Sequence, residues 1–496
     1  VFYFSIFCNF FHLIRYFFLD IDLQDMYRYT FKKYPEEREG VMKKKQFYVH
    51  WKKILFLMGI IVFISSGTAM GAGFALIEQS VSGLGNAYAG GAAGAEDATT
   101  IFYNPAGLTR LDGQEMILGV HIISPTAKFH NEGSTHVTGA PLTGGNGGNG
   151  GVTVLLPNLY YSKKFSDRLS MGIGINSPFG LATNYDEGWV GRYHALESKV
   201  MTVNINPSIA YKITEQLSVG AGFSAQYLRA RLSKAIDFGT LDAIGAFIPL
   251  GIPAGALGLA PQSSDGFVSL EGESWGMTYN LGLLFELTKN TRIGAAYRSR
   301  VEHTLRGDAD YKDVPAGLAP APLFKDGEAE ASVTLPDSFS VSVFHQLNTK
   351  WMIMADFTWT NWSLFDELVV DADNPYQDND VTVENWQDNY RYSIGVTYMP
   401  IKELALRAGT AYDTSAVESK EYRTPRIPDS DRIWAALGAG YRLSKMLSFD
   451  IGYAHLFVND PEIDKDAVDD DMLRGGLKGS YGADVDIVSA QLNLTF

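Results

Sequence analysis

The chain has 496 residues, with 41 Lys+Arg against 56 Asp+Glu and a formal charge of −15. Residues 1–71 hold ten Lys/Arg and six Asp/Glu, a balance of +4, so residues 72–496 carry −15 − 4 = −19, which disfavours nucleic acid as a partner. Cys8 is the single cysteine, so a disulfide framework and a thiol nucleophile are excluded downstream of it.

Residues 1–41 begin apolar and aromatic, broken by His12 and Arg15, and turn mixed and charged after Asp20. Met42-Lys43-Lys44-Lys45, then Lys52 and Lys53, the apolar run 54–64 and small residues through Gly71 have the three regions of a secretory signal peptide, expected at 42–71. Cleavage after Gly71 leaves Ala72 as the first mature residue, with cuts after Ala69 or Ala72 as alternatives. A signal peptide starts its chain, so Met42 reads as the initiator and 1–41 as a gene-model extension; an N-terminal anchor is the other reading.

Residues 72–110 are neither helix-periodic nor alternating. Gly and Ala dominate them and let backbone pack closely against a wall, while Phe74, Leu84, Tyr88, Phe102 and Tyr103 are large enough to wedge into it. This suits a plug held inside another structure; a Gly/Ala-rich periplasmic linker is the plainer alternative. No later stretch has the ~20 apolar residues of a spanning helix. The stretch 241–260 comes closest, but carries Asp242, Pro249 and Pro253. A secreted chain without such helices is either soluble or a membrane β-barrel.

From 114 onward the pattern alternates. Val488, Ala490, Leu492, Leu494 and Phe496 hold one parity and Ser489, Gln491, Asn493 and Thr495 the other; Leu447, Phe449, Ile451 and Tyr453 repeat the pattern. Strands are expected at 114–127, 152–165, 169–182, 198–212, 216–232, 268–287, 291–306, 328–347, 350–370, 384–399, 402–414, 431–443, 446–458 and 483–496. Period two does not separate a sandwich core from a lipid-facing wall. Three features favour the barrel: long hairpins throughout, with short connections alternating with long ones; Trp351, Trp359, Trp362, Trp386 and Trp434 near strand ends, as interfacial girdles; and a last strand closing on Phe496.

AGF at 72–74, EQSVSGLGNAYAG at 78–90 and DATTIFYNPAGL at 97–108, in that order, resemble the FadL-type outer-membrane transporters of long-chain fatty acids and other hydrophobic compounds. The runs at 335–368 and 427–441 extend the resemblance over nearly all of 72–496. It implies an all-β fold: a transmembrane antiparallel barrel of 14 strands at 114–496, with an N-terminal hatch at 72–113 in its lumen. It further implies a monomer in the outer membrane of a Gram-negative bacterium, among outer-membrane lipid and lipopolysaccharide, that admits hydrophobic small molecules passively, without catalysis or cofactor. A channel for aromatic hydrocarbons is the rival within the family, and a structural or adhesion barrel the rival outside it. An enzyme would need an assembled nucleophile and base, and only scattered Ser and His are visible.

The resemblance makes Asn104, Pro105, Ala106 and Gly107 the hatch signature and places the hatch rearrangement near Phe74. The loop 233–267 carries AIGAFIPLGIPAGALGLA, too apolar for an ordinary exposed loop, and its Phe247, Ile248 and Leu250 suit a capture groove or a cap packed on itself. Asn176-Ser177-Pro178-Phe179-Gly180 breaks strand rules, because Pro178 offers no N–H and Gly180 weakens pairing. The family has a lateral opening at this strand, against which the hatch signature is expected to sit; an ordinary bulge is the alternative. Parity turns Arg298, Arg391, Arg407 and Arg432 inward, where a guanidinium binds either a ligand carboxylate or a wall Asp or Glu. Arg432 is the first candidate for the ligand and Arg391 the second. The acidic run 460–471 lacks the Gly turn and terminal Glu of a calcium loop and reads as solvated, so no metal is expected.

Overall fold

The structure, a computed structural model, describes residues 73–374, 376, 379–468 and 471–496. The expected extension, the signal peptide and Ala72 lie outside the described residues. The wall is a closed, fourteen-stranded antiparallel barrel. It starts with β1 (Gln114–Asn131), β2 (Val154–Lys164), β3 (Leu169–Asn176), β4 (Gly180–Asn184), β5 (Glu197–Lys212), β6 (Leu217–Asp237) and β7 (Asp265–Thr288). It continues through β8 (Thr291–Arg298), β9 (Val301–Lys312), β10 (Gly327–Leu335), β11 (Ser338–Gln346), β12 (Trp351–Thr360), β13 (Glu367–Ala372) and β14 (Asp380–Val383). It ends with β15 (Asn389–Ile401), β16 (Leu404–Asp413), β17 (Arg432–Arg442), β18 (Leu447–Val458), β19 (Glu462–Asp464) and β20 (Lys478–Thr495), the short β14 and β19 being additions beyond the fourteen, paired to β13 and β20. β1 pairs with β2 on one side and β20 on the other, which closes the ring.

Alternation fixes the faces as expected. In β17, Ile433 and Leu437 are exposed on the outer face while Arg432, Trp434 and Ala436 are buried on the inner one. The outer face is apolar because its solvent is lipid. Short turns join strands at the end that holds both chain termini of the barrel, and their first polar side chain caps the turn. Ser166 Oγ, Thr214 Oγ1 and Asn348 Oδ1 each accept the N–H groups two and three residues on.

Four expected strands are each split in two. The third divides into β3 and β4, the seventh into β8 and β9, the eighth into β10 and β11, and the ninth into β12 and β13. Pro178 and Pro336 sit in two of these breaks, where no N–H is available for the ladder.

Residues 73–113 form short turns, α1 (Val81–Leu84), α2 (Gly91–Gly94), α3 (Thr100–Tyr103) and a 3₁₀ turn (Pro105–Arg110). Ser80 caps α1 by accepting Gly83 N–H, and the Asn104 side chain caps the 3₁₀ turn by accepting Ala106 N–H. These turns pack against the inner faces of β3, β6, β7, β8 and β15 to β18. The wall is bare of side chains at the tightest approaches. A Cβ on Gly294 would lie 1.9 Å from the Ala92 carbonyl oxygen, and one on Gly409 would lie 2.2 Å from the Asn86 carbonyl carbon.

The girdle expectation is corrected for three of its five tryptophans. Trp362, Trp386 and Trp434 are buried inside the barrel, Trp434 because its parity in β17 is inward. Trp351 does face outward, stacked on Tyr398 at 4.4 Å.

Candidate ligand passage

The break between β3 and β4 leaves Ser177, Pro178 and Phe179 outside any ladder. β3 pairs with β2 and β5, but β4 pairs with β5 alone, so the upper half of β2 has no strand partner on this side. The start of the N-terminal segment pairs with the break itself. Leu76 N–H donates to Pro178 O at 2.8 Å and Gly180 N–H to Phe74 O at 2.9 Å, with Ala75 bridged antiparallel to Phe179. Gly73 N–H is in turn held by Asp429 Oδ2 at 3.2 Å.

This corrects the expected seat of the Asn104-Pro105-Ala106 signature. Asn104 Nδ2 donates to Leu283 O in β7 and to Ala92 O, and Pro105 and Ala106 lie against Gly220 and Gly282 of β6 and β7. Gly107 is packed on Thr100, where a Cβ would meet Oγ1 at 2.1 Å. The signature therefore braces the segment internally and against a different part of the wall. Phe74 to Leu76 meets the break because only an extended stretch offers the N–H and C=O that a broken ladder lacks.

Phe74 is buried in a box of aromatic rings, with centroids 4.7 Å from Trp362, 6.0 Å from Trp386, 6.1 Å from Phe365 and 6.2 Å from Phe179. Each partner comes from a place where the wall is interrupted: Phe179 between β3 and β4, Trp362 and Phe365 between β12 and β13, and Trp386 just before β15. Two cavities lie beside the box, with Phe74 and Phe365 lining the first and Phe179 the second. The first is lined mostly by apolar residues, among them Leu181, Leu228, Leu305, Val333 and Leu368, together with Glu271, Glu330, Glu384 and Arg426. The second borders Pro178 and Phe179 and holds the polar side chains Glu78, Arg298, Ser340, Asp356, Thr358, Arg391 and Asp413.

The inward arginines divide into two kinds. Arg432 is 3% exposed and is engaged by Asp429 Oδ1 at 2.9 Å and Asp413 Oδ2 at 3.3 Å. It is a wall-to-wall ion pair that orients the Asp429 carboxylate toward Gly73, so it is corrected from first ligand candidate to structural cation. Arg407 is likewise paired, to Asp450 at 2.8 Å and Glu96 at 3.3 Å. Arg391, 4% exposed, donates from Nη2 to Ala87 O at 2.6 Å and lies over the rings of Trp434 and Tyr88, while Nε and Nη1 have no partner among the described residues. Arg298 donates from Nη2 to Phe102 O at 2.8 Å and leaves Nη1 without a partner among the described residues. Burial raises the Glu78 carboxyl to about 7 despite the nearby Arg391 and Arg432, so it competes weakly for these cations near neutral pH. Glu384, outside the strands, is raised to about 7 by burial and accepts Trp386 Nε1–H at 3.0 Å.

The apolar loop is mainly a cap. Phe247 is buried with Phe238 and Leu318, and Leu250 packs against them, joining this loop to the one between β9 and β10. Ile248 is 59% exposed and remains available at the surface. The acidic run is ion-paired where described: Asp464 with Lys420 and Lys478, and Asp471 with Lys465 and Arg474.

Sequence reasoning missed the box partners Trp362, Phe365 and Trp386 and the two buried carboxylates Asp337 and Asp429. Asp337 accepts from Asn361 Nδ2 at 2.9 Å and Tyr297 Oη at 3.2 Å, pinning the break between β10 and β11. A signal was present, since Pro-Asp-Ser occurs at 336–338 and again at 428–430.

The family described as outer membrane protein transport protein (OMPP1/FadL/TodX) matches residues 62–496. The chain belongs to this family. It is 32% identical over 464 residues to an outer membrane protein of Neisseria meningitidis, covering 90% of this chain and 98% of that one. It is 32% identical over 417 residues to the long-chain fatty acid transport protein of Escherichia coli strain K12, covering 80% and 91% of the two chains. A FadL homologue of Pseudomonas aeruginosa superposes with a TM-score of 0.77 at 25% identity, over 86% of this chain and 100% of that one. The Pseudomonas putida toluene transporter TodX shares the fold, with a TM-score of 0.58 at 20% identity over 80% of this chain and 94% of its own. This family member is therefore an outer-membrane β-barrel of a Gram-negative bacterium that transports hydrophobic compounds, and its family is one of transport channels rather than enzymes.

Proposed function

We propose that this chain takes up long-chain fatty acids or similar hydrophobic molecules passively, by capture at the surface loops, tail burial in the apolar cavity and sideways release at the third-strand break. The observation that carries the reading is the pair of cavities beside the Phe74 box, one mostly apolar and the other, bordering Pro178, holding charged side chains. An alkyl tail in the apolar cavity gains roughly 0.8 kcal/mol per buried methylene, enough for capture and little enough per group for escape. Displacing Phe74 joins the cavities and unpairs Leu76 and Gly180 from their partners in one motion, because the same three residues hold the box and the break. The polar head then meets Arg391 and Arg298. The Escherichia coli relative, named for long-chain fatty acids, supports the carboxylate reading; the toluene transporter of the same fold keeps aromatic hydrocarbons as the second reading.

The test compares uptake of fatty acids and alkylbenzenes into vesicles by the wild type and a Pro178→Val/Gly180→Val variant, which adds one N–H and strand propensity. The variant is expected to keep heat-stable barrel migration and surface capture and to lose uptake. Persisting uptake with a continuous third strand would rule out the lateral route and send ligand past the N-terminal segment to the periplasmic end.

A further inference from the structure

Among the bonds that hold the N-terminal segment to the wall, three arginine side chains donate to its backbone carbonyls. Arg292 donates from Nε to Ala93 O at 3.0 Å and from Nη2 to Gly94 O at 2.7 Å. Arg298 holds Phe102 O and Arg391 holds Ala87 O. A guanidinium bonded to a neutral carbonyl is half used, because a carboxylate forms shorter and stronger bonds to the same hydrogens. Arg292 stands away from the polar cavity, stacked on Phe344 at 3.8 Å. Arg298 and Arg391 line it, and both have unpartnered N–H groups among the described residues.

The backbone that Arg391 holds is strained. Ala87 has φ 48° and Tyr88 has φ 56°, two successive left-handed residues without the freedom of glycine. Tyr88 Oη is buried and finds no partner among the described residues. The turn stays in place because Asn86 and Ala87 are pressed into the gap over Gly409 and because Arg391 secures the Ala87 carbonyl. Removing that bond leaves a conformation its own residues disfavour.

We propose that Arg298 and Arg391 are exchangeable staples: two of the side chains that fasten the N-terminal segment to the wall are also those that select a carboxylate head, so an anionic ligand in the polar cavity loosens the segment at these two points and a neutral ligand of the same tail does not. The inference rests on the reading of the two cavities as the ligand path. It makes these two arginines the determinants of specificity at the release step, while tail length is sorted earlier in the apolar cavity. The carboxylates that share the cavity leave the exchange possible. Asp413 is taken by Arg432 and Asn389, Asp356 accepts Ser342 and Thr358 hydroxyls, and burial raises the Glu78 carboxyl to about 7.

The experiment is backbone hydrogen exchange over residues 83–105 of the full barrel, with dodecanoate and with methyl dodecanoate at equal occupancy fixed by calorimetry. Dodecanoate is expected to raise exchange of this segment at least tenfold over the ester. The Arg298→Lys/Arg391→Lys variant keeps both charges but not the multiple donors, and is expected to bring the two ligands to the same rate. Equal rates in the wild type would overturn the staple proposal alone and need no variant to fold. Absence of binding by either ligand would overturn the cavity reading together with it.

Discussion

Replacing Phe74 by Ala tests what keeps the N-terminal segment on the wall break. Phe74 is 4% exposed and touches four aromatic rings. Truncating a buried Phe to Ala costs about 3–5 kcal/mol, of which lost ring pairs supply about 0.5–1.5 kcal/mol each. Against this stand three backbone bonds, from Leu76 N–H to Pro178 O, from Gly180 N–H to Phe74 O and from Gly73 N–H to Asp429, each worth about 0.5–1.5 kcal/mol net. The ring and the bonds are thus comparable, and without the ring the seat becomes marginal. Taking 3–4 kcal/mol as the loss, local opening should rise by about two to three orders of magnitude, since each 1.4 kcal/mol is tenfold. The assay is hydrogen exchange at the Leu76 and Gly180 amides, whose partners lie across the seam, with barrel integrity followed by heat-modifiable migration. Both amides should accelerate together while the β1–β20 ladder is unchanged. Unchanged protection at Leu76 and Gly180 would show that the backbone bonds alone hold the segment and that the aromatic box has no part in seating it.

Arg432→Ala should destabilise the barrel by about 3–5 kcal/mol in urea unfolding, because Asp413 and Asp429 are left buried without their cation, and it should weaken a fatty acid and its methyl ester equally. Gly294→Val should leave barrel migration intact, since Val suits a strand, yet expel the α2 turn and raise exchange around Ala92, whose carbonyl oxygen a Cβ would meet at 1.9 Å. In the long loops, burial lowers His194 to about 4, below its ordinary 6.5, with Asp471 opposing the shift and Arg474 and Lys465 reinforcing it. The folded loop therefore favours neutral His194, whose Nε2 is 2.9 Å from Gly475 O; this contribution is complete above about pH 6.5 and is lost as pH falls toward 4. Limited proteolysis of the loops should quicken over that window in the wild type and stay flat in His194→Gln.

The wall was legible residue by residue. Ile433, Leu437 and Ile451 declare the outer face and Arg391, Arg407 and Arg432 the inner one, because parity is a local property of an extended chain. The weakness at Pro178 is equally local, since a missing N–H needs no partner to be known. The other breaks were less legible. Pro336 was in view, but the interruption at 361–366 carries no proline, and there Trp362 and Phe365 turn into the lumen instead of continuing the ladder. Composition marked the loop around Phe247 as apolar, yet whether Phe247 met ligand or Phe238 depended on a second loop seventy residues on.

Class, faces and family were all readable along the chain: alternating strands without cysteine from residue 114 onward, led by a Gly/Ala segment that carries Asn104-Pro105-Ala106. It took the folded barrel to decide which inward arginine is paired with a wall carboxylate and which bonds the N-terminal segment. Arg432 is paired because the β16–β17 register sets it opposite Asp413, whereas Arg391, also across from Asp413 in the β15–β16 register, turns its guanidinium to the Ala87 carbonyl. Only it decided that Phe74 to Leu76, and not Asn104 to Ala106, completes the broken third strand, fastened by a bond from Gly73 to an aspartate 356 residues away. Side-chain direction follows from neighbours one and two positions along the chain; partnership follows from closing the ring, which sets side by side residues that no sequence window contains.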